Sequence, residues 1–148
     1  MPVQFELVTP EQLLVSRDVD MVVVPGTEGN FGVLPGHSPL ISTIRPGTID
    51  IYDGNAVTER IFVAGGFAEV TPERCTVLAD EALSPDSLDR AELEAELQTL
   101  DGNMPMLRDQ VGRATGTDRE HLLAELRQLE RQYAIASAKL RVLREIGG

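Results

Sequence analysis

The sequence predicts an α+β fold: a β-sandwich or flattened barrel over residues 1–85, then an antiparallel two-helix hairpin over 86–148. Three observations predict it. Short β-branched runs separated by Gly, Pro and Asn turns fill the first half. The hydrophobic period changes from strand-like to helical at Ser84-Pro85-Asp86. A stripe of apolar residues stepping by four and three occupies the C-terminal part. No long apolar helix stands between the strand-like runs, which disfavours a parallel α/β sheet.

The elements follow in order. VQFELV alternates, with Val3, Phe5 and Leu7 on one face and Gln4 and Glu6 on the other. DVDMVVVPG is a β-branched run that a Pro-Gly turn should close. TIDIYDGNAVTERIFVAGG reads as a hairpin. Ile49 and Ile51 alternate with Asp50 and Tyr52, Asp53-Gly54-Asn55 turns, and Val57 to Val63 returns. GFAEVTPERCTVLAD repeats the pattern around a Thr-Pro-Glu-Arg turn. Ser84 then offers an N-cap, Pro85 a first helical position and Asp86 an acid in the first turn, so a helix should start there. Leu93, Leu97 and Leu100 carry its apolar face. DGNMP at 101–105 should break or bend it, although the helical spacing resumes at Met104, Leu107 and Val111. GRATGTD at 112–118 reads as a loop. Thr117 or Asp118 should cap the last helix. Its stripe is Leu122, Leu126, Leu129, Tyr133, Ala136, Leu140 and Leu143, with Gly147-Gly148 as terminator.

Charge narrows the partners. The net formal charge is -11, from 24 acidic and 13 basic residues. Such a chain repels phosphate backbones, which disfavours nucleic acid. Residues 119–148 nevertheless carry 6 bases (Arg119, Arg127, Arg131, Lys139, Arg141 and Arg144) against 4 acids. The single cysteine, Cys75, forms no internal disulfide and reads as a small core residue. MPVQFELVTP lacks the charge and apolar run of a signal peptide, and no segment approaches the ~20 apolar residues of a spanning helix. A soluble cytosolic chain is expected, with any membrane association coming through a partner.

GNFGVLPGHSPL, residues 29–40, concentrates the ambiguity. His37 is the only histidine near it, and no G-x-S-x-G, Cys-His pair or metal-ligand cluster accompanies it. The neighbouring GTEGNFG lacks the lysine of a phosphate loop and carries Glu28. Neither catalysis, metal binding nor phosphate binding is expected. A Pro/Gly-rich loop on a small sandwich suits protein contact.

EGNFGVLPGHSPL at 28–40, RPG at 45–47, GGFAEV at 65–70, TVLAD at 76–80 and KLRVLRE at 139–145 together resemble the epsilon subunit of the bacterial F-type ATP synthase, the counterpart of mitochondrial delta. The resemblance spans nearly the whole chain. It implies a ten-stranded sandwich and a two-helix hairpin. It further implies a non-catalytic rotor subunit of the central stalk, coupling proton translocation to ATP synthesis at the cytoplasmic face of the bacterial inner membrane. The sandwich would bind gamma and the c ring, with Glu28, Asn30, Phe31 and His37 as contact candidates. Position 30 is acidic in some relatives, so Asn30 weakens a salt bridge there. The hairpin would be a regulatory arm, its second helix directing Arg127, Arg131, Lys139, Arg141 and Arg144 at the alpha and beta subunits and restraining ATP hydrolysis. Relatives that bind ATP on the hairpin carry Leu/Ile-Asp-x-x-Arg-Ala. Here Leu88-Asp89-Arg90-Ala91 places the arginine two positions early, so no cofactor is expected. The competing readings are a free-standing ATP sensor, a small enzyme built on His37 and a self-associating coiled-coil adaptor.

Overall fold

A computed structural model describes residues 2–146. The chain divides into two units, Met1–Ser87 and Leu88–Gly148.

The first unit is two five-stranded sheets. One has the order β2 (Leu13–Val19), β1 (Val3–Val8), β9 (Arg74–Leu78), β8 (Phe67–Val70), β5 (Leu40–Thr43). The other runs β10 (Glu81–Leu83), β7 (Ala56–Ala64), β6 (Gly47–Asp53), β3 (Met21–Gly26), β4 (Gly29–Val33). All neighbours pair antiparallel except β1 with β9. Alternation does the sorting: Val3, Phe5, Leu7, Ala68, Val70, Cys75 and Val77 from the first sheet meet Val22, Val24, Val33, Ile49, Ile51, Ile61 and Val63 from the second in one buried cluster. Burial in this apolar cluster pushes the Cys75 thiol up to about 12.

Two expectations for this unit are corrected. Pro25-Gly26 does not turn the chain. Both lie in β3, pairing with Asn30 and Gly29, and the chain reverses at Thr27-Glu28. Both residues are buried, and Gly26 has no side chain because a Cβ there would press on the Gly29 carbonyl and the Phe31 ring. Pro25 still serves as an acceptor, its carbonyl taking the Arg45 N–H at 2.9 Å. The contact loop is also shorter than 29–40: residues 29–33 form β4 and Leu40 opens β5.

The second unit is a helical hairpin, α1 (Arg90–Arg113) and α2 (Gly116–Ile146). Ser84 caps a 3-10 turn at Pro85–Ser87 rather than α1. Asp89 is the N-cap, its carboxylate accepting the Glu92 N–H at 3.2 Å. α1 is not broken at DGNMP. It runs through Pro105 because Leu100, Met104, Leu107 and Val111 are all buried on one seam. Burying each contributes about 2 kcal/mol, which together exceed the ~3 kcal/mol for an interior proline and ~1 for a glycine. The expected GRATGTD loop shrinks to Ala114 and Thr115. Gly116 adopts φ +61 and lets the chain reverse at once, placing Thr117 and Asp118 inside α2 rather than at its cap. Gly147 and Gly148, the expected terminator, lie outside the described residues.

Candidate functional site

Glycine-permitted turns and backbone clamps position the four contact candidates, and they fall into two groups. Glu28 sits in the β3–β4 turn, and Asn30 follows in β4; both are exposed. Arg45 clamps this end. Its guanidinium donates to the Asn30 side-chain oxygen at 2.5 Å and to the Gly26 carbonyl at 2.9 Å. The Thr27 N–H donates to the Thr43 carbonyl at 3.0 Å, and the two threonine hydroxyls lie 2.8 Å apart. Asn30 is therefore held by a cation of its own chain. Phe31 belongs to this strand, but its ring packs against the sandwich core.

His37 stands beyond the other end of β4, a strand of five residues or roughly 16 Å. Leu34-Pro35-Gly36-His37 is a type II turn: the His37 N–H donates to the Leu34 carbonyl at 3.1 Å and Gly36 takes φ +82. The Gly36 N–H donates to the Pro72 carbonyl at 2.8 Å, tying this turn to the β8–β9 turn. The imidazole Nδ1 lies 2.6 Å from the Ser38 carbonyl, which makes Nδ1 the protonated nitrogen.

A surface that the sequence reading missed lies on the outer face of the first sheet. Leu13 pairs with Val8, Val8 with Leu78, Leu78 with Phe67, and Phe67 with Thr43, so five strands contribute one row. Leu13 is 57% exposed, Phe67 42% and Leu78 39%. Ile41, 73% exposed, sits on the same face, paired with Glu69 two residues along from Phe67. A cleft of about 290 Å³ borders Val8, Phe67 and Leu78. The row lies at the Thr43 end of the sheet, with the Glu28 and Asn30 turn and away from His37. The available signal was the apolar residue in both phases of alternation, Phe67 beside Ala68 and Leu78 beside Val77. Contiguous exposed apolar surface of this kind is a candidate for contact with another protein.

On the hairpin, α2 carries its packing stripe and its bases on different sides. Leu126, Ala136 and Leu140 are buried, and Leu122, Leu129 and Leu143 pack partly buried beside them. Tyr133 is half-buried, while Ala138 and Val142, off the stripe, are buried. At ~100° per residue, Arg127, Arg131 and Arg141 fall within roughly 80° of arc opposite the stripe, with Lys139 and Arg144 on its flanks. The five bases therefore form an arc with two outliers rather than one face. Among the described residues, Arg127, Arg131, Arg141 and Arg144 make no ion pair with Glu92, Glu94 or Glu96. Apolar packing, not charge pairing, closes the hairpin.

Chemistry-bearing groups are sparse. Among the described residues no group of three or more His, Cys, Asp or Glu is placed to hold a metal ion. The Thr58 hydroxyl and then Arg17 hold the Asp53 carboxyl below its ordinary value, in a surface clasp that also links Arg17 to Glu59 at 3.5 Å. Among the described residues no helix is long and apolar enough to cross a membrane.

Residues 2–85 match the profile of a family described as the β-sandwich domain of the ATP synthase delta/epsilon chain. The chain is 59% identical over 101 residues to an ATP synthase epsilon chain of Rhodospirillum rubrum, covering 68% of this chain and 75% of that one. It is 51% identical over 139 residues to the ATP synthase epsilon chain of Rhodospirillum centenum, covering 93% and 88%. Its fold is similar to a chain in the Euglena gracilis mitochondrial ATP synthase (OSCP/F1/c-ring, rotational state 1), with a TM-score of 0.71 at 19% identity over 96% of this chain and 81% of that one.

Proposed function

The chain belongs to the ATP synthase delta/epsilon family, and from that premise we propose how its surfaces divide the work of a central-stalk subunit. It is an accessory, non-catalytic rotor subunit, and what it supplies is contact. The observation that carries the assignment of surfaces is the outer row of the first sheet. Leu13, Val8, Leu78, Phe67 and Ile41 form an apolar face on an otherwise strongly acidic chain. That row is the docking face for the gamma subunit. The Glu28 and Asn30 turn at the same end meets the c ring. Because Arg45 already occupies Asn30, the turn is recognised there by shape and by Glu28 rather than by an acid at position 30. His37, at the opposite end, lies outside both surfaces, and Phe31 acts by packing β4 onto the core.

The hairpin is a regulatory arm, and the exposed arc of Arg127, Arg131 and Arg141 favours a second role in restraining ATP hydrolysis through acidic segments of alpha and beta. It holds no nucleotide: the Asp89 carboxylate is engaged as the helix cap, and Glu92 occupies the position where relatives that bind ATP carry arginine. The subunit works peripherally, at the cytoplasmic face of the bacterial inner membrane.

The test is rebinding. The parent complex is stripped of this subunit and given back either the wild-type chain or the F67E/L78E variant. The two substitutions lie on the outer face and leave the core intact. Burying two carboxylates at a docking face should weaken rebinding by more than about 100-fold. Rebinding of the variant at wild-type concentration would remove the row from the interface.

A further inference from the structure

Hairpins of this size are held by their seam, and here its packing concentrates in two clusters with Leu100 and Met104 buried between them. The proximal cluster is Leu93, Ala136 and Leu140 with Leu88, Leu97 and Leu143 beside them. The distal cluster is Leu107, Val111 and Leu126 with Leu122, Leu123 and Leu129. Between them α1 carries Asp101-Gly102-Asn103-Met104-Pro105, whose only buried member is Met104. Pro105 donates no N–H to the Asp101 carbonyl, so the helix ladder has a missing rung there. Clefts flank the segment on both sides. One of about 410 Å³ borders Asp101, Pro105, Arg108 and Tyr133; another of about 390 Å³ borders Asn103, Met106, Gln110 and Gln132.

The glycines sharpen the point. A Cβ at Gly102 or at Gly112 would meet nothing within 4 Å, so neither close packing nor a left-handed backbone requires glycine at these sites. Both weaken the closed helix and gain it no contact. Gly102 precedes, and Gly112 lies within, an eight-residue piece, Met106 to Arg113, that is too short to stay helical by itself. Its far end is joined to α2 through Ala114, Thr115 and the φ +61 of Gly116.

We propose that residues 101–105 are a built-in hinge, and that Met106–Arg113 is a flap that lifts from α2 while the proximal cluster stays closed. Lifting uncovers Leu122, Leu126 and Leu129 on an α2 that remains helical. This opening needs no separation of the whole hairpin. The inference goes beyond the regulatory role assigned above and stands whether or not the arm restrains hydrolysis.

Hydrogen exchange on the full-length chain tests it, comparing the wild type with G102A/P105A. In the wild type, amides of 103–113 should exchange at least about 10-fold faster than those of 94–100 and of 124–140, as expected for a sub-global opening. G102A/P105A should slow 103–113 by about 10-fold or more, since both alanines restore helix propensity, and leave 94–100 unchanged. Equal protection along α1 in the wild type overturns the hinge. Slowing of every helical amide by the same factor also overturns it, because that reports a change in global stability. Exchange of 124–129 as fast as 106–113 overturns the flap, because the whole tip would then be unfolding.

Discussion

Gly65 and Gly66 show how single residues fix the exposed apolar row. They carry the chain from β7 in one sheet to β8 in the other, with φ of +72 and +99. A side chain at Gly65 would collide with the Asp80 carboxylate, and one at Gly66 would overlap the Leu78 carbonyl oxygen. Leu78 and Phe67 are paired members of the exposed row, so this close approach sets their register. Gly66→Ala should therefore cost at least about 3 kcal/mol, combining left-handed strain with a backbone collision that no rotamer relieves. Urea titration of the variant measures it; a loss under about 1 kcal/mol would show that the corner adjusts freely. Gly54→Ala is the control, since φ +69 is strained there but a Cβ meets nothing. The same scale explains which site residues were legible. Glu28, Asn30 and His37 stood out by type and motif. Arg45 did not, because its role depends on where Pro25, Gly26 and Asn30 come together. Point substitutions at Glu28 and Asn30 probe the proposed c-ring contact while leaving β4 in place.

At the scale of elements, period was readable and termination was not. Alternation in VQFELV and GTIDIY fixed which side chains face inward, and the steps of four and three fixed the seam of α2. Punctuation was misjudged wherever tertiary packing overrode local preference. Pro25-Gly26 became strand because both residues are buried and paired with β4, and Gly26 also bridges to Ile44. Pro105 stayed helical because the seam is buried on either side of it. Four strands escaped notice: Leu13–Val19 is an edge strand with mostly exposed residues, Gly29–Val33 and Leu40–Thr43 flank a Pro/Gly-rich turn and are mostly exposed, and Glu81–Leu83 is only three residues long. The basic arc of α2 carries a prediction at this scale. R127E/R131E/R141E alters exposed positions opposite the seam, so the hairpin should fold unchanged. Added back to the stripped complex, the variant should restrain hydrolysis about 10-fold less than wild type at low salt, with the gap narrowing as salt rises. Equal restraint by both proteins, measured as ATPase rate against added subunit, would exclude the arc from the inhibitory contact.

For the whole molecule, the division into two units sets unequal stability. The sandwich cluster joins seventeen buried residues drawn from both sheets, with β1 paired to β9 and β5 to β8 across long sequence separations. Among its described residues the hairpin has ten buried apolar ones, six of them in two small clusters. Area-proportional burial then predicts that the hairpin opens first. Its helices are also the whole source of a strong 222 nm signal, while the sandwich is almost purely β. In urea, loss of the 222 nm signal should precede exposure of Cys75, which sits at the centre of the sandwich with its thiol protonated and out of reach. The midpoints followed by circular dichroism and by thiol labelling should differ by about 1 M or more. Coincident transitions would mean that the chain unfolds as one cooperative body, and the hairpin could not then act as an arm that moves while the sandwich stays docked.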